Sequence, residues 1–174
     1  MATLTATLKN TDDADARVRL QAALSLGEVR HSTVSTALGK LAGRDGADAW
    51  FRAAILSSVP DTAIDLLTAI VQSSVTEPSR FETSQQLLQP LSAITGARHN
   101  DEETGTLLQT IAVALQGRSV QQADCLTGLL EGLQRGEPQR LTAKSGQDAL
   151  RKLLFAESGR VRSCLLYTSP SPRD

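Results

Sequence analysis

Asp15-Ala16-Arg17-Val18-Arg19-Leu20-Gln21-Ala22-Ala23-Leu24-Ser25-Leu26-Gly27 is the stretch whose reading decides the fold. Val18, Ala22 and Leu26 fall four residues apart with Ala23 beside them, a spacing that lines one face of a helix. A second stretch, Asp48-Ala49-Trp50-Phe51-Arg52-Ala53-Ala54-Ile55-Leu56, superposes on the first at a single offset without a gap. Asp15 then falls on Asp48, Val18 on Phe51 and Arg19 on Arg52. Self-similarity at a period of a few tens of residues marks a repeat protein.

The composition agrees with helices. The chain has 174 residues, long enough to bury a core of ordinary size. With 18 basic and 19 acidic residues its net charge is −1, which argues against a dedicated nucleic-acid or membrane-surface protein. Apolar residues make up 40% but aromatic ones only 3%, so a core must come from Leu, Ala, Val and Ile, which suits closely packed helices. No run of about 18 apolar residues occurs, and no membrane insertion is expected. Met1-Ala2-Thr3-Leu4 lacks the basic start and apolar stretch of a secretory signal. The compartment stays open between a cytosolic protein and an internal piece of an exported one.

Outward from the two copies, Leu4 and Leu8 make residues 1–10 the tail of a preceding repeat helix. Asp12 to Asp15 supply cap and first-turn acids for a helix reaching about Val29, with a turn at Arg30-His31-Ser32. The next helix, over about 33–42, turns Val34, Leu38 and Leu41 inward and is ended by Gly43-Arg44-Asp45-Gly46. The second copy covers 47–59 and is punctuated by Pro60, and Asp61 can cap a helix bearing Ile64, Leu67, Ile70 and Val71. Ser79-Arg80-Phe81-Glu82 has the form of a capping box. The helix it opens runs past Leu87, Leu88, Leu91 and Ile94, and Pro90 inside it predicts a kink. Asn100 with Glu103 opens a helix whose inner face is Leu107, Leu108, Ile111 and Leu115. Ser119 with Gln122 opens another, bearing Ala123, Leu126, Leu130 and Leu133. Gly128 and Gly132, four apart, predict close approach of a neighbouring helix. A polar loop over 136–143 precedes a last helix over about 145–157 with Leu150, Leu153 and Leu154. The expected fold is all-α, an α-solenoid of about four antiparallel helix pairs over residues 11–160, truncated at both ends. Cut repeats leave apolar faces uncovered, so marginal stability or self-association is expected.

Arg17-Val18-Arg19 with Gln21-Ala22-Ala23-Leu24-Ser25-Leu26-Gly27, and Asp48-Ala49-Trp50-Phe51-Arg52-Ala53-Ala54, resemble bacterial HEAT (armadillo-like) repeats. Together with Ile55-Leu56-Ser57-Ser58 and Gly128-Leu129-Leu130-Glu131-Gly132-Leu133, they resemble the HEAT segment of large bacterial dehydrogenase-like proteins that carry a haem-binding cytochrome c module. The resemblance covers roughly residues 3–160. It implies a place between a β-propeller and a cytochrome domain of a larger parent, of periplasmic or exported type. The haem attachment string Cys-x-x-Cys-His is absent, so no cofactor and no catalytic residue carries over. Residues 161–174 read as a disordered tail, whose last eleven, Cys164 to Asp174, resemble a translated sequencing-library adapter; the alternative is a genuine Ser/Pro tail.

Candidate sites reduce to structural readings. Asp15 with Arg19 and Asp48 with Arg52 look like acid–base pairs, but their repetition at one offset assigns them to the repeat, with the arginines reaching a neighbouring turn to set stacking register. Cys125 is a lone thiol and reads as a small buried hydrophobe. His31 and His99 fall in turns too far apart to share a metal ion. Trp50 aligns with Arg17, one place outside the core stripe; core filling is the favoured role and a surface contact the other. No nucleophile elbow, catalytic triad spacing or phosphate loop occurs. The reading is a non-catalytic scaffold or interdomain spacer that meets a protein partner or flanking domains of its own chain. The alternative is a HEAT-like chromophore-attachment lyase or its accessory subunit, which would want acidic and aromatic residues clustered on one face.

Overall fold

The structure, a computed structural model, describes residues 2–29, 31, 33–59, 61–135 and 146–154. The chain divides into two compact units, Met1–Leu87 and Leu88–Asp174. The described residues are helical and contain no strand. The expected tail over 161–174 and loop over 136–143 lie outside them, as do Pro60 and residues 155–157.

The first unit contains α1 (Ala2–Asn10), α2 (Ala16–Leu26), α3 (Thr33–Asp45), α4 (Ala49–Ser57), α5 (Ala63–Thr76) and α6 (Pro78–Ser84). Helix α2 lies on α1, α3 and α4, and α3 lies on α4, α5 and α6. Leu38, Leu41, Ile55, Leu66, Leu67 and Phe81 are fully buried between them. Asp15 and Asp48 are the N-caps of α2 and α4, accepting from the N–H of Arg17 at 2.9 Å and of Trp50 at 2.7 Å.

Three local expectations need correction here. The inner face of α2 is Arg19, Ala22, Ala23 and Leu26, and Val18 is only half-buried. Gly43 does not end α3, which continues through Asp45; a Cβ at Gly43 would sit 2.9 Å from Arg80 Cβ, so the glycine is there to admit α6. Helix α5 takes Thr62 as N-cap, with no side-chain cap bond, in place of Asp61.

The long helix expected to start at Ser79 is divided. Pro78 occupies the first turn of α6 after Glu77, so Ser79 lies inside the helix and no capping box forms. A 3-10 turn at Gln85–Leu87 then interrupts the run before α7 (Leu88–Ala97). The restart puts Pro90 in the first turn of α7, where its missing N–H has no intrahelical partner to lose. An interruption upstream replaces the expected kink.

The second unit continues with α8 (Asp101–Val113), α9 (Ser119–Leu133) and α10 (Gln147–Leu154). Asn100 caps α8, accepting from the N–H of Glu102 at 2.9 Å and of Glu103 at 3.1 Å. Ser119 does not cap α9; Arg118 takes that position, and Gln122 is buried and donates to the Ile111 carbonyl in the last turn of α8 at 3.1 Å. Leu107, Ile111, Leu115 and Leu126 fill the core with Leu129, while Leu130 and Leu133, expected on the inner face, are only half-buried. Helices α7 and α9 make the most intimate packing of this unit. A Cβ at Gly128 would fall 2.0 Å from the Gln89 carbonyl oxygen, and one at Gly132 would fall 2.2 Å from that of Ala93. One at Gly96, on the facing helix, would fall 2.5 Å from that of Leu129. The two backbones touch, with no side chain between them.

Gly39 in α3 makes the contrast, because a Cβ there meets Leu66 at an ordinary 3.7 Å. Gly39→Ala is therefore expected to stabilise the chain by up to about 1 kcal/mol through helix propensity. Gly128→Ala is expected to destabilise it by about 1–3 kcal/mol despite the same propensity gain, because the helices must part. Urea midpoints of the two variants, moving in opposite directions, check this.

Candidate interaction surface

The most connected side chain in the first unit is Arg19. Only 6% of it is exposed. Its Nε and Nη2 donate to the two carboxylate oxygens of Asp45 at 2.9 and 2.7 Å, while Nη1 donates to the carbonyls of Asp13 and Ala14, each at 2.9 Å. The guanidinium also lies over the Phe51 ring, 5.8 Å from its centroid. One side chain thus ties the entry to α2, the end of α3 and the inner face of α4. Asp45 raises the arginine's pKa further above its usual value, against the opposing effect of burial.

Arg52 repeats half of this arrangement. Its Nη1 donates to the Gly46 and Ala47 carbonyls at 3.0 and 2.7 Å, and these two positions are the repeat counterparts of Asp13 and Ala14. It has no counterpart of Asp45, because the corresponding residue is Pro78. Neither arginine pairs with the aspartate four residues before it. Asp15 bonds Arg17 at 3.0 Å instead, in an exposed pair, and that guanidinium holds the Asp15 carboxyl below its usual 3.8. Asp48 serves its helix N–H groups. These four residues form no acid–base couple facing a cleft.

Trp50 does not fill the core; it is 76% exposed, the second residue of α4. Arg17, its counterpart on the neighbouring α2, has a side chain 91% exposed. An aromatic ring and a guanidinium therefore stand at the same register of two packed helices. Elsewhere in this unit an open groove of about 370 Å³ runs between α1 and α2, lined by Thr7, Asn10, Val18, Gln21 and Ser25 among others. In the second unit a smaller hollow of about 210 Å³ lies between α7 and α9, where Gln89 donates to Glu131 at 3.2 Å.

Cys125 is fully buried in α9, and burial pushes its thiol up to about 12, far from a nucleophilic thiolate at neutral pH. His31 is exposed and its Nδ1 sits 2.9 Å from the Thr33 hydroxyl at the start of α3. His99 adopts a left-handed backbone, φ 50°, after the end of α7. Its Nε2–H donates to the Arg135 carbonyl at 2.9 Å, joining the ends of α7 and α9. Among the described residues no three His, Cys, Asp or Glu side chains converge as metal ligands, and no helix is long and apolar enough to cross a membrane. Comparison with protein families, curated proteins and solved structures finds no match to this chain.

Two outcomes are expected. Asp45→Asn, which leaves a buried guanidinium without its counter-charge, costs about 3–5 kcal/mol, whereas Asp15→Asn stays within about 1 kcal/mol because the pair is exposed and asparagine also caps. Chemical denaturation of the two variants checks the difference. Cys125 remains unmodified by iodoacetamide in the native chain at pH 7.5 and is alkylated once the chain is unfolded in urea, as peptide mapping at that residue would show.

Proposed function

We propose that the chain is a non-catalytic helical-repeat module, an α-solenoid of HEAT type, that acts as a protein-interaction scaffold or spacer. The recurrence of one construction carries the reading. An aspartate cap, an exposed residue at the second helical position and an arginine curled onto two linker carbonyls appear twice, in sequence register from end to end. The packing of α2 on α4, and of α3 on α5, favours stacked pairs. The deeply buried charge of Arg19 is engaged in joining helices, and the Asp15 and Arg17 side chains that line the open groove of the first unit are paired with each other. Resemblance alone extends the proposal to a spacer within a larger exported, haem-binding protein.

The contact edge is assigned to Trp50 and Arg17, since exposed aromatic and arginine side chains, here at the same register of two packed helices, are the residue types that anchor protein interfaces. A photoreactive phenylalanine analogue placed at position 50 is expected to give a discrete protein adduct in the source cells, weakened by Arg17→Glu. The same probe at the exposed Lys40 of α3 is expected to give none. Equal adducts at both positions, or no adduct at position 50, would overturn the assignment.

A further inference from the structure

The segments that lead into α2 and α4 read Asp12-Asp13-Ala14-Asp15-Ala16 and Asp45-Gly46-Ala47-Asp48-Ala49. The first aspartate of the second segment is gripped by Arg19 from the preceding copy. The first aspartate of the first segment, Asp12, is exposed, and among the described residues no cation pairs with it. The helix faces that follow show the same relation. Phe51, Ala54 and Ser58 of the second copy are buried. Helix α2 covers them: Arg19 lies over the Phe51 ring, the Ser58 hydroxyl donates to the Ala23 carbonyl at 2.9 Å, and a Cβ at Gly27 would fall 2.8 Å from Ser58 Oγ. Their counterparts in the first copy, Val18, Gln21 and Ser25, are half-buried or exposed and line the open groove of about 370 Å³.

We propose that this groove is a docking site for one partner helix built on the pattern of α2. Such a helix carries an arginine one turn from its N-terminus and then small residues at four-residue steps, Arg-x3-Ala-x3-Gly. Its guanidinium forks onto both oxygens of Asp12, as Arg19 does onto Asp45. Its alanine carbonyl accepts from the Ser25 hydroxyl, and its glycine lets the two backbones meet there. Val18 gives the apolar seat that Phe51 gives inside the fold. The assignment rests on the repeat reading above and deepens it by naming the chemistry of the partner.

A fluorescent peptide of the sequence 13–29 supplies the probe, hydrocarbon-stapled between the positions of Arg17 and Gln21, because a helix this short is marginal alone in water. Titrated with the full chain, it is expected to bind saturably by anisotropy. Asp12→Asn in the chain is expected to weaken binding at least tenfold with an unchanged circular dichroism spectrum, since Asp12 is exposed. Glutamine in place of the peptide arginine at the position of Arg19 is expected to do the same, and Val18→Phe in the chain to tighten binding several-fold. No binding, or binding indifferent to both the aspartate and the arginine, would overturn the proposal. Peptide binding without crosslinks at position 50 would sink the Trp50 edge and leave this groove standing; the reverse would sink the groove alone.

Discussion

The first unit depends on where one guanidinium ends. An arginine taken out of water without partners is far too costly to keep, and at Arg19 the surroundings answer it on every side: two carboxylate oxygens, two carbonyls and an aromatic face. That satisfaction is geometric before it is energetic. The donors diverge in a fixed fork, so the entry to α2 and the end of α3 are held at a set angle to one another, with Phe51 of α4 against the guanidinium face. Lysine could carry the charge but not the three-way angle.

The second unit joins its helices by the opposite means. Between α7 and α9 the crossing is made by glycines that bring carbonyls of one helix against the bare Cα atoms of the other, with the exposed Gln89–Glu131 bond at its edge. Close backbone contact gives many weak dispersion contacts and removes side chains that would otherwise lose rotamer freedom. The cost falls on the glycines, which lose more backbone freedom on folding than any other residue. Gln122 and His99 then tie off helix-end carbonyls at Ile111 and Arg135.

What could be read in the sequence followed from apolar spacing. Leu107, Leu108, Ile111 and Leu115 announce a buried face, and Gly128 with Gly132 announce a close crossing, because both signals are local and periodic. Arg19 was legible as a residue that reaches a neighbouring turn but not as part of the core face, since a hydropathy pattern assigns charge to solvent. The signal that could have shown its burial was the aspartate heading each copied linker, Asp12 and Asp45, which extends the repeat upstream of the helices. Capping strings misled where a stronger local constraint acted first. Pro78 fixed the start of α6 ahead of Ser79, and a buried carbonyl claimed Gln122. Trp50 was ambiguous because one helical position separates the wet face from the dry one.

The linker between α3 and α4 is held at both ends, by Arg19 gripping Asp45 and by Asp48 bonding the N–H groups of α4. A link one residue longer or shorter could not satisfy both grips at once, and Phe51 and Ile55 would lose their buried places. Gly46 is fixed in kind as well as in number, since a Cβ there would fall 2.3 Å from the Ala42 carbonyl oxygen, so of the two residues between the grips only the exposed Ala47 is free to change its side chain.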